Sequence, residues 1–184
     1  MGRLYTRTGD AGQTGLRDGA RLPKDSERVQ AYGDLDELNS YLGLVVTVLP
    51  SELAPVREVV RRVQHELFIL GAEIATSPAE APRPPLIEKR HVERLESDID
   101  RYSEVSSSLR HFVLPQGGPP AAALHVARTV ARRAERSLAR LNRREPLRPA
   151  SLAYMNRLSD LLFALSLWVN HEQGVPEVPP DYGI

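Results

Sequence analysis

Cysteine is absent from this 184-residue chain, which removes a disulfide scaffold, a thiolate zinc site and a cysteine nucleophile together. Net charge is absent too: Lys plus Arg and Asp plus Glu both number 24, so no overall field draws the protein toward nucleic acid or an anionic membrane. Any basic site must be local. No stretch reaches the roughly 18 apolar residues that a membrane span requires, and the opening MGRLYTRTGDAGQTG lacks the apolar run of a secretion signal. MGRLYT formally meets the myristoylation pattern, which is too short to carry weight. The expectation is a cytoplasmic protein with no nucleic-acid and no membrane partner.

What is present is a helical period. With 41% hydrophobic and 26% charged residues, the chain suits a single domain over residues 1–184. Residues 1–25 have no period and are rich in Gly, Thr, Asp and Arg, which predicts an extended loop. Val29, Tyr32, Leu35, Leu38, Leu42, Val45 and Leu49 then recur at three and four residues until Pro50. Val56, Val59, Val60, Val63, Leu67, Leu70 and Ile74 predict a second helix, followed by a linker from Pro78 to Pro85. Val92, Leu95, Ile99, Tyr102 and Val105 predict a third, more charged helix ended by Ser106, Ser107 and Ser108. Leu124, Ala127, Ala131, Ala134, Leu138 and Leu141 give a fourth, starting after Pro119 and Pro120, whose small residues allow a neighbour to approach closely. Leu152, Met155, Leu158, Leu162, Leu165 and Val169 mark a fifth after Pro149. The fold class this predicts is all-α, a five-helix bundle over 26–173 with an extended N-terminal loop, an irregular tail over 174–184 and no convincing strand.

Four segments are candidates for chemistry. In Tyr5-Thr-Arg-Thr-Gly-Asp-Ala-Gly-Gln-Thr-Gly15, three glycines free the backbone to turn N–H groups toward an anion, while Thr6, Thr8 and Thr14 offer hydroxyls and Arg7 a charge. This reads as a phosphate cradle or as a turn-rich cap on the bundle. It is not a Walker loop, because Gly-Lys-Ser/Thr and a preceding strand are missing. In the fourth helix, Arg128, Arg132 and Glu135 fall within roughly 60° of one another, with Arg136 just beyond and Arg133 directed elsewhere, toward another subunit. Polyphosphate would compensate such clustered guanidinium groups, and so would ion pairs on a solvated face. In Ala31-Tyr-Gly-Asp-Leu-Asp-Glu-Leu-Asn39, the mid-helix Gly33 costs about 1 kcal/mol relative to alanine and suggests close approach by a neighbour or ligand. Asp36 is either a partner for an arginine of the fourth helix or a surface acid. In His111-Phe-Val-Leu-Pro-Gln-Gly-Gly118, Phe112 reads as a core plug, and the paired glycines ahead of a helix read also as a ligand-binding loop.

Metal chemistry is poorly supported. A ferritin-like diiron site needs Glu-x-x-His on two helices, and the chain offers only Glu88 to His91. His65, His125 and His171 lack partners at ligand spacing and read as surface or packing residues.

Taken in order, YTRTGDAGQTGL, RVQAYGDLDELNSYLG, FVLPQGG, RTVARRAER and YMNRLSDLLF resemble the PduO-type ATP:cob(I)alamin adenosyltransferases across nearly the whole chain. Ala11 stands where a charged residue is common and Ala131 where Cys is frequent. The resemblance implies transfer of the 5′-deoxyadenosyl group of ATP to the cobalt of cob(I)alamin, in a homotrimer with ATP bound between subunits and cobalamin beside it. By matching positions, Thr6, Arg7, Thr8, Gly9, Thr14, Gly15 and Lys24 would hold the triphosphate, with Mg²⁺ carried mainly by the phosphates and no separate metal site. Arg132, Arg133, Glu135, Arg136 and Asn156 would complete the nucleotide site. Arg128, Arg132, Asp36 and Phe112 would serve the reaction itself, Asp36 pairing with Arg128 and Phe112 lying against the lower face of the corrin. A flavin-dependent reductase and a B12-dependent enzyme would be its protein partners. Non-catalytic binding of nucleotide or cobalamin by a carrier or sensor module, and a trimeric scaffold, are the alternative readings.

Overall fold

The computed structural model describes residue 5 and residues 7–76, 85–106 and 111–183. Thr6, most of the expected linker after the second helix, and Ser107 and Ser108 lie outside the described residues.

Five helices carry the fold where the apolar period places them: α1 (Glu27–Val48), α2 (Ala54–Ile74), α3 (Lys89–Ser103), α4 (Pro119–Asn142) and α5 (Pro149–Glu172). Their starts have local causes. Ser26 caps α1 by accepting a hydrogen bond from the Val29 amide at 3.4 Å. Proline occupies the first turn of α2, α4 and α5, where no intrahelical donor is lost. At α3 the Glu88 amide donates to His91 Nδ1 at 2.9 Å while the Glu88 side chain accepts from the third helical amide. The Glu88-to-His91 spacing therefore serves as a capping box.

α1 packs against α2 and α4, and α5 packs against α4 and α3. Ala127, Ala131 and Ala134 are fully buried along α4, so the small-residue seam does bring helices close. α5 buries Leu158, Leu161, Leu162 and Leu165 and is the most enclosed helix. Each such leucine stabilises the fold by roughly 2 kcal/mol. Polar ties close the bundle: Tyr154 Oη of α5 donates to Glu66 Oε2 of α2 at 2.8 Å, and Arg62 of α2 meets Asp98 of α3 at 2.6 Å. Burial, reinforced by the Glu66 charge, holds the Tyr154 phenol well above its ordinary pKa.

The N-terminal segment departs from the expectation of a chain without strands. β1 (Gln13–Gly15) and β2 (Arg21–Pro23) pair antiparallel, with Thr14 opposite Leu22. Three-residue strands are too short to show an alternation in sequence. Leu16 anchors this hairpin, and the Arg17 amide donates to the carbonyl of Ala75 at the end of α2 at 3.0 Å. Buried Arg28 completes the joint by donating to the Ile74 carbonyl and to the Glu145 carboxylate. The loop is thus docked on the end of α2.

Candidate functional site

Two clefts receive Phe112, Arg128 and Arg132 on one side and Gly33 and Asp36 on the other, and among the described residues they share no lining residue. The first, about 320 Å³, lies between α4, α5 and the segment ahead of α4, and is lined by Phe112, His125, Arg128, Arg132, Asp160 and Phe163 among others. Helical spacing explains the set: His125, Arg128 and Arg132 stand three and four residues apart on α4, and Asp160 and Phe163 stand three apart on α5.

Charge in this cleft is undercompensated. Arg128 Nε is buried without a hydrogen-bond partner among the described residues, and its guanidinium lies 5.7 Å from the centroid of the Phe163 ring. Burial and then the nearby Arg132 lower the Arg128 pKa. His125 is 3% exposed, with both ring nitrogens unpartnered among the described residues. Burial, with Arg128 adding to it, depresses its pKa to about 4, so the imidazole is neutral near pH 7. Phe112 is 85% exposed at the mouth and is not the core plug its apolar character suggests. The cleft therefore combines cationic groups with open aromatic surface, suited to an anion beside a flat apolar molecule. Ser159 Oγ donates to the Asn156 carbonyl at 3.1 Å rather than to a base.

Beside the cleft, Asn156 Nδ2 donates to Glu135 Oε1 at 3.0 Å, so these two expected nucleotide-site residues are brought together. Arg136 is exposed on the same helix. Arg133 differs from expectation. It is bound within the chain to Glu37 of α1 and lies 3.8 Å from Asp34, rather than being directed to another subunit. The Glu37 hydrogen bond, partly opposed by burial, raises its pKa.

The second cleft, about 420 Å³, lies between α1 and α2 and is lined by Tyr32, Gly33, Asp36, Phe68, Gly71 and Ala75 among others. Asp36 and Arg128 line different clefts and do not pair within the chain. A Cβ added at Gly33 would meet nothing within 4 Å among the described residues, so the close approach expected there does not come from this chain. Phe68 is 70% exposed.

The Gly/Thr loop belongs to this second side, because Ala75 both accepts its hydrogen bond and lines the α1–α2 cleft. Within the loop, Arg7 has φ of +61°, Gly12 has φ of +80°, and the Gly12 amide donates to the Gly9 carbonyl at 3.2 Å. Lys24 folds back on it: its amide donates to the Gly12 carbonyl at 2.9 Å, and a Cβ on Gly9 would lie 3.4 Å from Nζ. Arg21 donates to the Thr8 carbonyl at 2.6 Å. Thr14 and Gly15 lie in β1.

The paired glycines ahead of α4 have a packing explanation. Gly117 has φ of +133°, and a Cβ there would fall 2.1 Å from Asn170 Oδ1. A Cβ on Gly118 would fall 2.7 Å from Gln173 Oε1. They let the segment press against the end of α5. Sequence reasoning missed His125, Asp160 and Phe163, although their spacing from Arg128 and Asn156 places them on the same helix faces.

Comparisons with known proteins agree along almost the whole chain. The family model described as cobalamin adenosyltransferase matches residues 4–169. A cobalamin adenosyltransferase from Cupriavidus metallidurans is 43% identical over 178 residues, covering 97% of this chain and 94% of that one. A corrinoid adenosyltransferase from Bacillus subtilis is 40% identical, covering 96% of this chain and 91% of its own. Among solved structures, a phenylalanine-to-alanine variant of the PduO-type ATP:corrinoid adenosyltransferase from Lactobacillus reuteri, complexed with cobalamin and ATP, superposes with a TM-score of 0.91 at 36% identity, covering 97% of this chain and 99% of that one. Ordered motifs, helical architecture and these relatives converge: the chain belongs to the cobalamin adenosyltransferase family.

Proposed function

We propose that the chain is an ATP:corrinoid adenosyltransferase that works as a closed ring of three copies with its active sites between subunits. The observation that carries the reading is the cleft where Arg128 and Arg132 stand beside the exposed ring of Phe112, in a chain 36% identical to an enzyme solved with cobalamin and ATP.

The separation of the two clefts supports this assembly. The Gly/Thr loop with Asp36 and the arginine cleft are different surfaces, and joining two different surfaces head to tail generates a ring when the rotation closes. Exposed Phe68 and the open space at Gly33 on one side suit burial against a second copy. Asp36 of one subunit then reaches Arg128 of the next, supplying a carboxylate for a guanidinium whose Nε is unpartnered among the described residues. One subunit offers Thr6, Arg7, Thr8, Gly9, Thr14, Gly15 and Lys24 to the triphosphate, and the next offers Arg132, Arg136, Glu135 and Asn156. Arg133, engaged with Glu37, serves the docking of α4 on α1 instead.

Cobalt(I) of the substrate is the nucleophile. It attacks C5′ of ATP, a cobalt–carbon bond forms, the bond from C5′ to the triphosphate oxygen breaks, and the triphosphate leaves with that electron pair. Cobalt is formally oxidised by two electrons. The protein's contribution is alignment of the two substrates and stabilisation of the departing charge by guanidinium groups held in a partly dry cleft. Mg²⁺ enters as part of the nucleotide substrate; among the described residues no cluster of three or more His, Asp or Glu side chains could hold a metal. Phe112, which offers no ligand atom, takes the lower axial position of the corrin and removes electron donation to cobalt, which makes cob(II)alamin easier to reduce.

The test is anaerobic incubation with ATP, Mg²⁺, cob(II)alamin and a strong reductant, followed by absorbance. Adenosylcobalamin and triphosphate should form in equal amounts. Folded protein that binds both substrates without product would make it a carrier. With Phe112→Ala, supplied cob(I)alamin should still react while the reaction from cob(II)alamin falls; equal loss from both would reject the axial role.

A further inference from the structure

Phe112 has almost no packing of its own: at 85% exposed, its position is set by the backbone that carries it. One side chain holds the later part of that backbone. Asn170, near the end of α5 and 1% exposed, accepts a hydrogen bond from the Gly118 amide at 3.1 Å and donates to the Gln116 carbonyl at 3.2 Å. The same amide nitrogen donates to Glu177 Oε1 in the tail at 2.9 Å. The Asn170 carbonyl accepts from the Val175 amide at 2.9 Å, and the Leu114 amide donates to the Val178 carbonyl at 2.8 Å. Residues 112–118 and 175–178 are thereby joined to each other and to α5, and Gly117 lacks a Cβ because Asn170 occupies its place. A primary amide is suited to this junction, since it can accept from one strand of backbone while donating to two other acceptors.

We propose that Asn170 is a positioning residue for Phe112, tying the tail and the Phe112 segment into one strap that holds the ring under the corrin. The inference rests on the lower-axial reading of Phe112. In this role Asn170 acts through Phe112. Its effect is confined to the step that needs the axial position filled, the reduction of cob(II)alamin, and misplacement of a ring by about 1 Å is enough to matter.

The experiment compares two starting states in the full-length enzyme with ATP and Mg²⁺: cob(II)alamin with a reductant, and cob(I)alamin reduced beforehand. Asn170→Asp is nearly isosteric, keeps the acceptor for Gly118, loses the donor to Gln116 and sets a negative charge against Glu177. We expect the rate from cob(II)alamin to fall roughly tenfold or more and the rate from cob(I)alamin to change less than about twofold. In the electron paramagnetic resonance spectrum of bound cob(II)alamin, the splitting from the axial nitrogen should persist in the variant and diminish in the wild type. Adding Glu177→Gln restores a donor toward Asp at 170 and should recover much of the lost rate. Should Asn170→Asp fold poorly, a chain ending at Gly174 removes the tail contacts while leaving Asn170 in place, and it should show the same selective loss. An unchanged ratio of the two rates, or equal loss from both states, overturns the proposal. Wild-type protein that makes no adenosylcobalamin from either state overturns the functional reading instead.

Discussion

Arg133 of α4 is bound to Glu37 of α1, with Asp34 at 3.8 Å on the same helix. This pairing separates Arg133 from Arg128 and Arg132, which line the cleft next to it in sequence but a third of a turn away in direction. Ser137, one turn further along α4, donates to Asp34 as well, so α1 and α4 meet through a short polar ladder beside their apolar seam. Because Arg133 and Glu37 are each nearly half exposed, solvent screens most of the attraction. Arg133→Gln should therefore lower stability by only about 0.5–1 kcal/mol in urea unfolding and leave the KM for ATP within about twofold of wild type, since a twofold change is below 1 kcal/mol.

The arginines of the first cleft should behave differently. Arg132→Ala should reduce kcat/KM by roughly a hundredfold or more, the usual cost of removing a charged group that stabilises a leaving polyanion. Thermal stability should hold or rise, because the like charge of Arg128 beside it is relieved. Steady-state kinetics with varied ATP, alongside a melting curve, check both halves of this expectation.

Asp36 and Arg128 are the pair through which the ring should close. Asp36→Arg alone and Arg128→Asp alone should each shift the protein from the proposed three-copy ring toward smaller species in sedimentation velocity. The chain carrying both changes should recover the ring, because the pair is restored with its sign reversed. A double variant no better assembled than either single one would reject the pairing.

His125 gives the fold an acid limit. Its folded pKa of about 4 lies below the ordinary 6.5, so between those values the unfolded chain takes up a proton that the folded chain refuses, and stability falls as pH falls. From pH 7 to pH 5 the loss attributable to this one group is about 2 kcal/mol. His125→Leu removes the titration, so its unfolding free energy should change less over that interval than the wild type's. Urea melts at the two pH values measure the difference.

The helices were legible because each buries a stripe that recurs at three and four residues, and proline marks where α2, α4 and α5 begin. The clustering of Arg128 with Arg132 could be read from spacing on one helix for the same reason. The β1–β2 hairpin could not, since three residues hold barely one alternation. Nor could the partner of Arg133: Glu37 lies 96 positions away, and their meeting depends on the register of α1 on α4, which no local pattern encodes. The packing of the glycines before α4 could not be read either, because their neighbour Asn170 is 52 residues distant from Gly118.

That the two clefts share no lining residue among the described residues has a genetic consequence. In the proposed ring, a subunit with Lys24→Ala carries a damaged loop and a sound arginine surface, while one with Arg132→Ala carries the reverse. Each variant by itself closes a ring with no intact site. A mixed ring of either composition contains one junction where the sound loop meets the sound arginine surface, so two inactive alleles expressed together restore one site in each mixed ring, and neither can do so in a ring of its own kind.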